Sequence, residues 1–254
     1  MDSIALGIIG GTGFDQFSLL DDPQRKVMET RWGNPSHELL LGRLGGLDVG
    51  VLNRHGNRLK WPPHAVNYRA NVWAMHKLGA KVLLSINAVG GIAPSMGPGA
   101  IVLPDQIIDY TWGREHTYFD GGEAGLKHID FSQPLDGLLR QRMIESAELL
   151  GLDVVPRGCY AVTQGPRLET AAEVQRLKQD GNDLIGMTLM PEVALARELD
   201  MRCVNISVVA NWGAGLETEV ISIDEIGRIL STRMGDVFRL CQSFAERLTE
   251  EDFA

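Results

Sequence analysis

Short runs of apolar residues alternate along this chain with longer segments in which apolar residues recur every three or four positions. Four apolar runs rich in β-branched residues predict buried strands at 4–9, 49–52, 82–86 and 204–210. Strands that are apolar throughout are typical of a mainly parallel sheet covered on both faces. Helical spacing predicts helices at 67–78, 135–150, 170–178, 191–199 and 222–248. This order predicts an α/β fold, and because no repeat or low-complexity linker interrupts it, we expect residues 1–254 to form a single domain.

Glycine and polar residues follow directly after the first two predicted strands, as GGTG at 10–13 and RHG at 54–56. Open α/β sheets bind ligands beyond the carboxyl ends of their strands, so we expect a site there. Backbone N–H groups and the Thr12 hydroxyl can hold an anion. Arg54 offers a planar fork for phosphate oxygens, and His55 adds a second donor. The alternative is a tight glycine turn beside a solvated arginine and a structural histidine.

The glycine-rich start also raises the possibility of a nucleotide-binding oxidoreductase. Gln16 occupies the position of the third glycine in the dinucleotide fingerprint, and no GK[ST] sequence follows. Both observations argue against a nucleotide-phosphate loop of the common kinds.

The composition narrows the class of protein further. A formal net charge of −9 argues against a nucleic-acid backbone as partner. No apolar run approaches the roughly 20 residues of a membrane helix, and the first residues lack the basic segment of a secretory signal. The 3 cysteines form no CxxC pair, which argues against a disulfide framework or a zinc site. We therefore expect a cytoplasmic protein without a metal that binds neither nucleic acid nor membrane.

Six motifs occur in one order along the chain: GGTG at 10–13, RHG at 54–56, VNYRAN at 66–71, NAVGG at 87–91, GPRLET at 165–170 and GMTLMPE at 186–192. Together they resemble the trimeric purine nucleoside phosphorylase and 5'-methylthioadenosine phosphorylase family, from Gly7 to about Leu230. The resemblance implies one α/β domain around a mixed, partly barrel-like sheet flanked by helices. It also implies inorganic phosphate as co-substrate, no cofactor or metal, and a homotrimer or a dimer of trimers.

The resemblance carries over to site residues position by position. The phosphate ligands that it implies are Thr12, Arg54, His55 and Thr188. The backbone around Asn87 and Ala88 is implied as a further contact to phosphate and ribose. Met187 corresponds to a methionine that packs under the ribose, and Leu168 lies in a substrate-binding motif. His128 matches a histidine that reaches the neighbouring subunit's site near the 5' end of the nucleoside.

Two positions distinguish the purines that members of this family accept. Asn211 stands where 6-oxopurine phosphorylases carry asparagine and methylthioadenosine phosphorylases carry aspartate. An amide can donate to O6 and accept from N7–H, whereas an ionised carboxylate would repel O6. Glu169 can accept from the N1–H of a 6-oxopurine, but it would face a lone pair on adenine N1. The two residues are the candidate catalytic pair, and both favour a 6-oxopurine; the alternative for Glu169 is an acid that stabilises a helix start.

A third position concerns the 5' group of the nucleoside. Ile223 corresponds to a hydrophobic residue of the methylthio-specific members, where ordinary nucleoside phosphorylases have a histidine. An apolar pocket here favours a methylthio group, although isoleucines at a helix start are also typical of core packing. The combination resembles that of the bacterial methylthioinosine-cleaving members and predicts phosphorolysis of 5'-methylthioinosine. A methylthioadenosine phosphorylase and a general inosine/guanosine phosphorylase remain the alternatives.

Overall fold

One mixed β-sheet forms the centre of the fold. The computed structural model describes residues 3–14, 19–218 and 221–253, so Gln16 lies outside the described residues. The strands within them are β1 Leu6–Gly10, β2 Asp21–Lys26, β3 Leu39–Leu44, β4 Leu47–Asn53, β5 Val82–Gly91, β6 Ile101–Val102, β7 Gln106–Asp109, β8 Val154–Val155, β9 Cys159–Val162, β10 Leu184–Gly186 and β11 Arg202–Trp212.

The sheet branches at β5, because two different strands pair with one edge of it. Its first half pairs with β1 in parallel, and its last residues pair with β10 in antiparallel. The opposite edge of β5 pairs in parallel with β11 from Val82 to Gly91. Strand β4 lies parallel to β1 on its other side. Because β1, β4, β5 and β11 run the same way, their carboxyl ends meet at one edge of the sheet.

The α-helices of the described residues are α1 Tyr68–Lys77, α2 Gly137–Leu149, α3 Ala171–Gln179, α4 Leu189–Glu198 and α5 Ile223–Arg247. Four of them begin at a polar residue whose side chain accepts a hydrogen bond from a backbone N–H of the first turn. These caps are Asn67, Asp136, Thr170 and Ser222. Such caps satisfy N–H groups that have no partner within the helix, which explains where these helices start.

The core lies in two layers, one on each face of the sheet. Successive residues of a strand point to opposite faces, so Leu83 packs in one layer while Val82 and Leu84 pack in the other. Helices α1 and α4 cover the first face, and α2 and α5 cover the second. Coverage on both faces is the physical reason that these strands are apolar throughout.

The single-domain α/β fold with a mixed sheet and flanking helices confirms the fold class predicted from the sequence. The predicted strands and helices all occur, with bounds shifted by a few residues. The strand predicted at 82–86 is longer in the structure, because β5 continues through Asn87 and Ala88 to pair with β11 and β10. Among the described residues, no helix is long and apolar enough to span a membrane.

Candidate active site

A cavity of about 360 Å³ lies where β1, β4 and β10 end, against the last residues of β5 and β11. It brings together residues that are far apart in the sequence. The residues singled out from the sequence that line it are Thr12, Arg54, His55, Ala88, Leu168, Glu169, Met187, Thr188 and Asn211. Apolar side chains and proline rings form much of the remaining wall, which suits a flat heterocyclic base.

Arg54 lies beneath the cavity with a fully buried side chain. Its Nε donates to Oε2 of Glu192 and its Nη2 donates to Oε1, both at 2.8 Å. Burial alone would lower the pKa of Arg54, but the Glu192 carboxylate outweighs it and the pKa lies above its ordinary value. The planar fork that the sequence suggested for phosphate oxygens is therefore occupied by a carboxylate of the protein itself.

The remaining nitrogen of Arg54 faces the glycine-rich turn. Nη1 donates one hydrogen bond, to the carbonyl of Ile86 at 3.1 Å, and has a second hydrogen. A Cβ at Gly11 would lie 2.9 Å from Nη1, so glycine at this position leaves room beside this nitrogen. Arg54 can thus offer one donor beside the Thr12 turn.

His55 is buried, and its ring is held in one tautomer. Its Nδ1 lies 2.8 Å from the carbonyl oxygen of Trp61, which can only accept, so Nδ1 carries the hydrogen. Burial and the neighbouring Arg54 lower the pKa of His55. The neutral ring therefore presents Nε2 as an acceptor, and His55 becomes the second donor expected from the sequence only when it gains a proton.

Thr188 and Asn87 are coupled to each other on one side of the cavity. Asn87 Nδ2 donates to Thr188 Oγ1 at 2.7 Å, so the side chain of Asn87 supports Thr188. Unlike Ala88, Asn87 is absent from the cavity wall. Thr188 precedes α4 but makes no side-chain capping bond, which leaves its hydroxyl hydrogen available to a ligand.

Glu169 reaches the cavity from the loop between β9 and α3. Its Oε1 accepts a hydrogen bond of 2.6 Å from the hydroxyl of Thr163. Burial raises the pKa of Glu169, and the bond from Thr163 offsets part of that rise. A carboxylate in such a place gains from an N–H donor on a bound ligand.

Asn211 owes its position to an irregularity in β11. The register with β5 shifts between Val209 and Asn211, so Asn211 pairs with Gly90 directly after a bulge. A bulge redirects the side chains around it, and Asn211 lines the cavity here. Its Nδ2 donates to the carbonyl of Trp212 at 2.7 Å, which orients the amide.

Met187 and Leu168 form apolar parts of the wall. Gly165 has φ of +63°, and a Cβ on it would lie 2.5 Å from the sulfur of Met187. The loop therefore approaches Met187 closely only because residue 165 is glycine. Arg114 donates to the carbonyl of Met187 at 2.8 Å and to that of Gln164 at 2.8 Å, which ties both segments together.

Besides Asn87, two of the predicted residues, Ile223 and His128, do not line this cavity. Ile223, at the start of α5, is 72% exposed, whereas Ile221 and Ile226 line the cavity wall. The cavity wall therefore holds the neighbouring Ile221 and Ile226 in place of the Ile223 that was expected from the sequence. His128 is exposed and does not line the cavity of its own chain.

Sequence reasoning missed Glu192 and Arg114, which hold the site together. Glu192 is an acid within the apolar segment LMPEVALA at 189–196. A charged residue in such a segment indicates a buried partner, and that signal was available. Arg114 had no comparable signal, because the fold assembles its partners from distant segments. These partners are mostly backbone carbonyls, together with the side chains of Gln164 and Tyr68.

No group of three or more histidine, cysteine, aspartate or glutamate side chains that could hold a metal occurs in the part of the chain that the structure describes.

Comparison with known proteins identifies the family. The model of the phosphorylase superfamily matches residues 5–246. The chain is 47% identical over 230 residues to a probable S-methyl-5'-thioinosine phosphorylase of Pseudomonas syringae. The alignment covers 91% of this chain and 94% of that protein. Over 240 residues it is 37% identical to a 6-oxopurine nucleoside phosphorylase of Pyrococcus furiosus, with 92% and 89% covered.

Solved structures agree with the sequence comparison. The methylthioadenosine phosphorylase of Schistosoma mansoni, in complex with adenine, is similar with a TM-score of 0.90 and 32% identity over 96% of this chain and 91% of that one. Fold and site define an α/β enzyme of the nucleoside phosphorylase kind, which uses phosphate as a substrate. The chain belongs to the phosphorylase superfamily.

Proposed function

We propose that this enzyme cleaves S-methyl-5'-thioinosine with inorganic phosphate and releases hypoxanthine and 5-methylthioribose 1-phosphate. The observation that carries the proposal is that an asparagine amide, Asn211, and a half-buried glutamate, Glu169, line one cavity beside hydrogen-bond donors that can hold an anion. The Pseudomonas syringae relative, named as a probable phosphorylase of this nucleoside, supports the same substrate.

In this proposal, phosphate binds in the part of the cavity that is lined by Thr12, His55, Ala88 and Thr188. Because Arg54 is paired with Glu192, the pair contributes little net charge, and one N–H of Arg54 remains for the anion. Hydroxyl and backbone donors then supply most of the attraction, as they do at other anion sites built from N–H groups. Asn87 serves phosphate by holding Thr188.

The purine binds between Asn211 and Glu169. As the bond from C1' to the base breaks, the ribose gains positive charge and the purine gains negative charge. A phosphate oxygen attacks C1', and the electron pair of the broken bond stays on the base, which takes up a proton from water at N7. Asn211 accepts from that N7–H and donates to O6, while Glu169 accepts from N1–H. Catalysis comes from positioned donors and acceptors, and no covalent intermediate with the protein is required.

The 5' substituent lies against apolar residues in this proposal. Ile221 and Ile226 take the role first assigned to Ile223, with Met187 and Leu168 nearer the sugar and base. Burial of a methylthio group in such a pocket stabilises binding by about 1–3 kcal/mol relative to a hydroxyl.

A general 6-oxopurine nucleoside phosphorylase is the second candidate. The Pyrococcus furiosus relative carries that name, and the exposure of Ile223 removes one argument for methylthio specificity. A methylthioadenosine phosphorylase is the third, since a relative at 38% identity in Thermofilum pendens is named so.

The deciding experiment measures release of the base from methylthioinosine, methylthioadenosine and inosine, each with and without phosphate. We expect phosphate-dependent release of hypoxanthine, fastest from methylthioinosine. Preference for methylthioadenosine would contradict the roles of Asn211 and Glu169. Equal use of inosine would remove only the methylthio pocket.

We further propose that the enzyme is a cytoplasmic homotrimer that needs no cofactor. In the trimer, the exposed His128 of one subunit completes the 5' end of the neighbouring subunit's cavity. The exposure of His128 in the single chain is compatible with a contact made only on assembly. Cys159, Cys203 and Cys241 are free cysteines, and free cysteines are typical of a reducing compartment.

A further inference from the structure

A buried chain of polar side chains leads from the middle of the sheet to Thr188. Ser207 Oγ donates to Asn205 Oδ1 at 2.6 Å, Asn205 Nδ2 lies 2.5 Å from Asn87 Oδ1, and Asn87 Nδ2 lies 2.7 Å from Thr188 Oγ1. Asn205 is 1% exposed and does not line the cavity. Buried polar groups of this kind are costly unless each one is satisfied, so a complete chain indicates a role beyond packing.

One backbone carbonyl decides which group donates and which accepts in each hydrogen bond of this row of side chains. Asn205 Nδ2 also lies 2.9 Å from the carbonyl oxygen of Ser85, which can only accept, so the NH₂ group of Asn205 must point that way. The same NH₂ group donates to Asn87, so the oxygen of the Asn87 amide has to point towards Asn205. The NH₂ group of Asn87 is then left to donate to Thr188.

The hydroxyl of Thr188 is consequently an acceptor towards Asn87. Its own hydrogen has to point elsewhere, and the residue makes no capping bond with α4. Thr188 lines the cavity, so the open direction for this hydrogen is towards a bound ligand.

We propose that Asn205 is a positioning residue for phosphate, because through Asn87 it turns the hydroxyl hydrogen of Thr188 into the cavity. This inference rests on the proposed phosphate site at Thr188. Ser85 Oγ also lies 3.0 Å from Asn87 Oδ1, but its single hydrogen has a shorter bond of 2.6 Å to the Glu192 carboxylate. Without Asn205, no other donor then holds the Asn87 oxygen, and the amide can turn that oxygen towards Thr188. The hydroxyl hydrogen then bonds to Asn87, and oxygen lone pairs face the anion, which repels it.

The test compares Asn205→Leu, Thr188→Val and the double variant by the KM for phosphate and the KM for nucleoside. Thr188→Val removes the donor itself and should raise the phosphate KM about 10- to 100-fold, because hydrogen bonds to charged groups are the strong ones. Asn205→Leu should raise the phosphate KM about three- to tenfold and change the nucleoside KM less than twofold. In the Thr188→Val background, Asn205→Leu should have no further effect on the phosphate KM, as two changes on one path are not additive.

Asn182→Leu is the matched control, since Asn182 is a buried asparagine whose amide donates to the Tyr110 hydroxyl and the Leu177 carbonyl, away from the cavity wall. It should leave the phosphate KM unchanged. If Asn205→Leu does not fold, as judged by thermal unfolding, Asn205→Ala replaces it, because it removes the same amide without adding branched carbon atoms to a buried position.

The outcomes separate this inference from the proposed function. An unchanged phosphate KM in Thr188→Val overturns the phosphate site at Thr188, and the positioning role falls with it. A raised phosphate KM in Thr188→Val with a normal one in folded Asn205→Leu overturns the positioning role alone. Equal effects of Asn205→Leu in both backgrounds, or a matching rise in Asn182→Leu, also overturn it. A rise that disappears in the Thr188→Val background supports it.

Discussion

Glu169 and Asn211 decide, at the scale of single residues, which purine the cavity accepts in the proposed reaction. Their side chains differ in chemistry and complement the N1–H, O6 and N7 edge of a 6-oxopurine. The role of each residue can therefore be tested by an isosteric substitution, which changes the hydrogen-bonding groups of the side chain and keeps its shape.

Glu169→Gln should lower kcat/KM for methylthioinosine about 10- to 100-fold, because the ionised acceptor for N1–H is lost. The glutamine amide can donate to adenine N1, so the ratio of activity on methylthioadenosine to that on methylthioinosine should rise. Initial rates with both nucleosides measure this. Glu173→Gln, an exposed glutamate paired with Arg167, is the control and should leave the ratio unchanged. A fall of equal size on both nucleosides would contradict the role of Glu169.

The pH dependence of the reaction should report the ionisation of Glu169. Burial raises the pKa of this group above its ordinary value, and the ionised form is the active one. As pH falls through the raised pKa, the carboxylate gains a proton and activity is lost. The acid limb of kcat/KM should accordingly lie above the ordinary glutamate pKa of about 4.3. A Glu169→Gln enzyme that keeps the same limb would show that another group is responsible.

Helix α4 and the segment after β4 are joined, at the scale of elements, by the ion pair of Glu192 and Arg54. Both side chains are fully buried, so each charge depends on the other. The pair holds the start of α4, with Thr188 before it, against the strand ends that carry Thr12 and His55. A buried pair of this kind matters more for the geometry of the site than for net stability.

Glu192→Ala should lower the free energy of unfolding by about 3–5 kcal/mol, because it leaves the guanidinium of Arg54 buried without a counter-ion. Urea unfolding followed by fluorescence measures this. Replacing both residues, Arg54→Met with Glu192→Leu, should recover much of the stability but not the activity. Recovery of neither would mean that the loss comes from packing instead of the unpaired charge.

Subunit assembly is the question at the scale of the whole molecule. If His128 completes a neighbour's cavity, the active species is larger than the chain mass of 27.9 kDa. Sedimentation should give three times that mass. His128→Ala should raise the nucleoside KM about three- to tenfold with little change in the phosphate KM, since the contact is near the 5' end. His116→Ala, another exposed histidine, is the control. A fully active monomer would rule out the shared site.

Much of the site could be predicted because the motifs are local. The GGTG turn, the RHG sequence and the segment around Glu169 each follow or precede a regular element, so their places followed from the strand and helix pattern. The pocket residue near the 5' group could not be predicted as well. Ile221, Ile223 and Ile226 are alike in type, so the sequence does not tell which of them line the cavity, whereas the fold places Ile221 and Ile226 in its wall.

The sequence by itself determined the α/β class, the helices and the main strands, because hydrophobic periodicity and helix caps act over a few residues. It also determined the chemistry available to a ligand. Only the tertiary structure decided that the fork of Arg54 holds Glu192, that Asn87 lies within β5, and that a bulge directs Asn211 into the cavity. These features depend on contacts between residues far apart in the chain, and burial makes such contacts strong enough to override the local preferences of each side chain.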